Sequence, residues 1–344
     1  MAGDAPAEPA KVRRIPAFVR LPRQPMLRHG LIVLVAAVAC YALSVSISAF
    51  ANAELASVAV YTIAIAGLAM LTGGTGQLSI GHGALMCIGA YAYAVFAEHQ
   101  PHVPLVIGLL VAVGVTATAG VVVGLGAARL RGPYLAGVTL TLALAVPQLA
   151  DVYFNSDQGV PVNLTPPSSV ELNHWLAWIC MLGALVTLLL LANLRTSRYY
   201  RSFTAVRDDE IAASLSGISV ARTQILAFVL SAAAAGLAGA LFAIVNLGAT
   251  SGAFPLVLSI LLIAGMMIGG IGRLVGAVWG GIVLVYVPIW LGHLVGNPSS
   301  SLAANLPYLV FGVLIIVIVL VAPGGIDAAT RRCVAYVRRR ARSA

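Results

Sequence analysis

The chain has 344 residues, 60% of them hydrophobic and only 9% charged, with a net charge of +9 and a mean hydropathy of +0.98. Soluble domains carry roughly 25% charged residues, so this composition excludes a soluble enzyme or binding domain and points to an all-α, polytopic integral membrane protein embedded in a lipid bilayer. A basic balance would suggest nucleic acid in a soluble protein, but here basic residues on the cytoplasmic face of a membrane account for it, and no nucleic-acid partner is expected.

Residues 1–30 read as a basic, Pro-rich cytoplasmic leader carrying Lys11, Arg13, Arg14, Arg20, Arg23 and Arg28. Residues 31–51 are long enough to cross a hydrocarbon layer, which takes about 20 residues. Ala51, Asn52 and Ala53 imitate a signal-peptidase site. The apolar run is longer than the roughly 7–15 residues of a signal-peptide core, so an uncleaved span is expected. Uncharged segments follow at 55–72, 82–97, 103–128, 133–150 and 174–194. The later uncharged stretches divide at 246–255 and 296–301, giving spans at 224–245, 256–270, 274–295 and 302–321. Ten spans with a cytoplasmic N-terminus place all 20 Lys and Arg on the inner face, and Glu54, Glu98, Asp157 and Glu171 on the outer one. The organisation is then a leader (1–30), a transmembrane domain (31–326) and a basic cytoplasmic tail (327–344).

Cys40, Cys87, Cys180 and Cys333 are scattered and form no C-x-x-C pair, so neither a disulfide framework nor a zinc site follows. No cofactor is expected in this chain. Asn163 and Thr165 match a glycosylation acceptor, a pattern too short to carry weight.

The longest polar interruption is residues 195–222, with Arg195, Arg198, Arg201, Arg207 and Arg222. Asp208, Asp209 and Glu210 stand where a helix begins, because carboxylates there offset the dipole and the unsatisfied N–H groups. Gly217 is placed to end that helix as its C′ residue. Ile211, Leu215 and Ile218 give it one apolar face, while Ala212, Ala213 and Ser214 keep the remainder small. The loop reads as a cytoplasmic docking element, the alternative being an amphipathic helix in the headgroup layer.

A second stretch, residues 73–83, joins two apolar segments that are short for spans and carries no Lys or Arg. A 16-residue helix rises about 24 Å against a core of about 30 Å, so this linker is expected to dip into the membrane. Irregular backbone at that depth lines a cavity or is buried in protein, and transporters use it to present N–H and C=O groups to a solute. Gly73, Gly74, Gly76, Gln77, Ser79 and His82 are the candidate path residues. Close helix packing through glycine is the other reading.

The spans hold no carboxylate or histidine cluster for acid–base or metal chemistry. The sole lysine is Lys11, so no P-loop is present, and an energy source would reside on another polypeptide. A self-contained channel or facilitator for a small polar solute such as urea or an amide is the alternative.

Four stretches, residues 73–94, 131–143, 205–243 and 320–326, occur in an order and with motifs (GGTGQLSIGHG, RGPYLAG, AVRDDEIAASLSGI, LVAPGGI) that resemble the larger permease subunit of branched-chain amino acid ABC importers. The resemblance runs from about residue 31 to 326. It implies a permease of the bacterial inner membrane that performs no chemistry itself. It implies as partners ATP-binding cassette subunits, a sister permease and an extracytoplasmic solute-binding protein. It also implies that Arg207, Asp208, Asp209, Glu210, Ala212, Ala213 and Gly217 contact the ATP-binding subunits. Residues 155–162 depart from the Gly-rich external segment of relatives, which leaves the solute open among branched-chain amino acids, urea, amides and similar molecules.

Overall fold

The computed structural model describes residues 25–130, 133–154, 159–164, 171–295 and parts of 306–330. Most of the expected leader, residues 155–158, most of the expected tenth span and most of the tail lie outside the described residues. The described helices are α1 (Pro25–Ser46), α2 (Ala49–Thr75), α3 (His82–His99), α4 (Leu105–Ala127), α5 (Pro133–Phe154), α6 (Leu172–Thr196), α7 (Arg198–Asp208), α8 (Glu210–Leu215), α9 (Val220–Val245), α10 (Leu256–Gly269) and α11 (Leu274–Val295). Among the described residues, eight helices are long and apolar enough to cross a membrane. They are α1, α2, α4, α5, α6, α9, α11, and α10 together with the short 3-10 turn Ser251–Ala253 before it. The chain is an all-α, multi-pass membrane protein. Helix α3, read from sequence as a span, has 18 residues and is not among those eight.

Both ends of α2 differ from expectation: it runs on through Thr75, so Gly73 and Gly74 are helical rather than linker, and it begins earlier than residue 55. The first apolar run breaks at Ile47 and Ser48, and Ser48 caps α2 by accepting from the Ala51 amide. Residues 51–53 therefore belong to α2. Asn52 is fully buried there, donating to the carbonyls of Ser44 and Ser48 and accepting from the Ser44 hydroxyl. A polar side chain thus fixes the turn, where hydropathy alone sees a continuous apolar stretch.

Helix α2 is the axis of the packing. Its 27 residues rise about 40 Å, and its side chains are buried on every side from Thr62 onward except for the partly covered Thr72. A helix that is apolar all round belongs in an interior, and α3, α6, α7, α9, α10 and α11 surround it. Helix α9 forms the second layer, against α2, α3 and α4. Its glycines set the spacing: a Cβ on Gly236 or Gly239 would overlap Thr116 of α4 or the Met86 backbone of α3. Lipid tails are as apolar as leucine, so such helices associate by close contact of small residues rather than by escape from water.

The outward faces of α1, α4 and α6 are hydrocarbon, as shown by the exposed Leu34, Val38, Leu110, Val122, Leu182 and Leu190. Between elements, β1 (Val160–Pro161) pairs antiparallel with β2 (Gly248–Ala249), and Ser251 donates to Asp151. At the other end Arg207 reaches Gly73, Arg195 reaches Gly272 and Arg273 pairs with Asp327. Each of these contacts joins segments that the charge pattern assigns to the same face.

Candidate functional site

The polar loop folds as two helices. Ser197 accepts from the Tyr200 amide and starts α7, which turns Phe203 and Val206 inward. Phe203 is 1% exposed, and its ring and that of Tyr200 lie over Gly74, where an added Cβ would meet both at 3.5 Å. Arg207, near the end of α7, donates from Nη1 to the Gly73 carbonyl at 2.8 Å. Its Nε and Nη2 donate to Asp208 Oδ1 at 3.0 and 2.8 Å. The guanidinium holds its own neighbour and the end of α2 with one planar fork. Arg195 donates in the same manner to the Gly272 carbonyl and lies 5.5 Å from the Tyr200 ring centre. Gly73 and Gly272 meet backbone to backbone, with no room for a Cβ on Gly73. The end of α2, the α10–α11 turn and α7 therefore form one clamp.

Asp209 caps α8, accepting from the amides of Ile211 and Ala212 at 2.8 and 3.0 Å. Glu210 accepts from Gln224 at 2.9 Å, tying α8 to α9. At the other end Gly217 has φ of 82°, its amide reaches the Ser214 carbonyl and the Ile218 amide reaches the Ala213 carbonyl. That paired bonding with a left-handed residue is a Schellman cap, which only a residue tolerant of positive φ completes. Of the residues expected to meet a partner, Asp208, Asp209 and Ala212 are exposed, Glu210 is half-buried and Ala213 is buried. Ile211 and Leu215, absent from that set, are 73% and 84% exposed. The signal for them was in the sequence, as two large apolar residues one turn apart on a short polar loop.

The 73–83 linker leaves α2 at Gly76, whose φ is 75°. Thr72 then bonds the Gln77 carbonyl, the Ile80 amide bonds Thr139 of α5, and the Gly83 amide bonds Ser259 of α10. His82 Nε2 lies 3.3 Å from the Ser231 hydroxyl, which donates to the Gly67 carbonyl. Gly67 is eight residues before Thr75, so the chain doubles back along α2 by about 12 Å. Gly73, Gly74, Gln77, Ser79 and His82 are buried in the chain's own packing, and Gly76 is exposed. Ser79 Oγ and His82 Nδ1 are buried with no hydrogen-bond partner among the described residues. A groove of about 870 Å³ between α3, α4 and α5 is lined by apolar and aromatic side chains, including Ile88, Tyr91, Val115, Leu149 and Phe154, and offers little to a polar solute.

Residues 50–319 match the family described as the permease component of the branched-chain amino acid transport system. The chain is 29% identical over 258 residues to the high-affinity branched-chain amino acid transport system permease protein LivM of Salmonella typhimurium, covering 66% of this chain and 60% of that protein. It is 28% identical over 255 residues to the protein of the same name in Escherichia coli, with the same coverage. The matched region thus spans about 60% of the length of these curated relatives. No solved structure matches the chain. With the family match covering well over half of its length, the chain belongs to the family of branched-chain amino acid transport permease components.

Proposed function

We propose that this chain is the permease subunit of an ATP-driven importer for branched-chain or related small amino acids in a bacterial inner membrane. Separate ATPase subunits dock on α7 and α8. A sister permease completes the path, and an extracytoplasmic solute-binding protein delivers the solute. The observation that carries this reading is the pair Ile211 and Leu215, large apolar side chains left open on an element whose root is fastened to the membrane core by Arg207 and Phe203. A cytoplasmic apolar knob on a rigid base suits a protein partner. A helix lying in headgroups has no need of an arginine clamp onto a buried glycine carbonyl.

The chain's own connections support a mechanism for this reading. Closure of the ATPase pair displaces α8, and α7 moves with it because Asp209 joins the two helices, its amide donating to the Ala205 carbonyl of α7 while its carboxylate caps α8. Arg207 and Phe203 pass the displacement to Gly73 and Gly74 in the last turn of α2, just before the segment that doubles back to His82. The solute is admitted from one side or the other according to which arrangement ATP favours, since a ligand shifts an equilibrium only by its differential affinity for the two states.

The test is uptake in proteoliposomes holding this chain with its sister permease, ATPase subunits and loaded solute-binding protein. Leucine, isoleucine or valine should accumulate with ATP and fail to do so with a non-hydrolysable analogue. Equal uptake by this chain without ATP would assign a facilitator instead.

A further inference from the structure

We infer that the outward face of α5, centred on Gln148, is a wall of the solute path and contacts a small zwitterion with a short apolar side chain. This inference rests on the permease reading above and deepens it by naming a contact surface that the Gly-rich linker does not supply.

Helix α5 is loosely held, packing mainly on α3, and Leu135, Thr139, Ala143 and Ala150 face inward. Gly137, Thr141, Leu144, Gln148 and Asp151 are all exposed and recur at intervals of four and three residues. That spacing places them along a single stripe, on the side of α5 opposite its buried face. The exposed faces of α1, α4 and α6 carry leucine, valine and isoleucine with occasional hydroxyls returned to their own helix backbone, as Thr118 is to Val115. The outward side of α5 also exposes Val138, Leu149 and Val152, but its central stripe adds an amide, Gln148, and a carboxylate, Asp151, which the exposed faces of those helices lack. Thr141 is bonded to the Gly137 carbonyl and Asp151 accepts from Ser251. Gln148 is exposed and has no hydrogen-bond partner among the described residues. A primary amide has two donors and two acceptors, and hydrocarbon satisfies none of them. A face of this kind meets water, solute or protein, not lipid.

The position favours solute. Gln148 stands six residues from the outer end of α5, about 9 Å down the helix. Asp151 lies one turn above it towards the mouth, and Leu144 lies one turn below. An amide and a carboxylate suit the ammonium and carboxylate of an amino acid, and Leu144 suits its side chain. The same helix bonds the re-entrant linker through Thr139 and the Ile80 amide. Motion of that linker therefore reaches this wall directly.

The experiment uses the assembled transporter with Cys40, Cys87, Cys180 and Cys333 replaced by serine, and single cysteines placed as Gln148→Cys on α5 or Val122→Cys on the lipid-facing side of α4. A charged, membrane-impermeant thiol reagent should label position 148 at least about tenfold faster than position 122, and transported amino acid or ATP should change the rate at 148 alone. Gln148→Leu should lower ATP-driven uptake on the order of tenfold, the weight of a hydrogen bond to a charged group, with the assembly still forming. Labelling at 148 no faster than at 122 overturns the inference. Reaction only with a lipid-soluble maleimide overturns it too by placing the face against lipid, and reaction with neither reagent does so by placing it against protein. Fast, solute-sensitive labelling in a preparation whose uptake ignores ATP would leave the wall standing and remove the ATP-driven reading.

Discussion

Gly217 sits at φ of 82° with nothing near an added Cβ, so its constraint is conformational rather than steric. Gly217→Val should lose the Schellman cap at a cost of about 1–2 kcal/mol for a left-handed branched residue, while Gly217→Asn should be tolerated. Hydrogen exchange at the Ile218 amide reads the difference directly. Asp209 separates cap from charge in the same way. Asp209→Ala should cost about 1 kcal/mol of local stability and Asp209→Asn far less, so ATPase subunits lost with alanine but retained with asparagine would identify the cap as what docking needs. Both ends of α8 were legible in the sequence because capping depends on neighbours within four residues. The contacts of Arg207 were not, since Gly73 is 134 residues away and no local pattern announces it. The inward turn of Ala213 escaped for a related reason. On a helix of only six residues, the face that packs is chosen by α7 and α9, not by its own periodicity.

At the scale of elements, the clamp of α7 on the end of α2 is where energy from a partner would enter the membrane region. Arg207→Ala should leave insertion and assembly intact and break the relay, seen as ATP hydrolysis continuing while uptake falls. Uptake unchanged at wild-type ATPase rate would remove Arg207 from the relay. Phe203→Ala removes a fully buried ring and should destabilise α7 docking by about 3–5 kcal/mol, seen as new protease cleavage between 197 and 209. Sequence indicated a docking helix near 208–217 but left residues 198–208 as loop. The inward Phe203 and Val206 show why α7 forms: one apolar face finds cover on α2, and tertiary contact decides what isolated propensity does not. The linker was expected to dip into the membrane because its flanking apolar segments read as short for spans, but α2 runs to 27 residues, and the linker that follows it returns beside it towards Gly67. Which groups it satisfies, Thr139, Ser231 and Ser259, depends on three distant helices.

For the whole molecule, the ten-span layout rests on charge placement, because each cation in hydrocarbon is costly and basic loops stay inside. Among the described residues eight helices, without α3, are long and apolar enough to be such spans. What charge placement could not supply is which helices are central, since hydropathy is high for α2 and α4 alike. Burial separates them, with α2 enclosed and α4 largely open. The layout predicts that single cysteines at Ser202 and Ser214 react from the cytoplasmic side of sealed vesicles, and those at Asn246 and Gly252 from the opposite side. The central claim is that α8 receives a protein partner that owns the fuel. Cysteines placed as Ile211→Cys and Leu215→Cys, cross-linked in the intact assembly by a short bifunctional reagent, test it most directly. The account predicts adducts between these positions and an ATP-binding subunit whose yield changes when ATP is added. Adducts only with lipid or solvent quencher, alongside normal ATP-driven uptake, would contradict it.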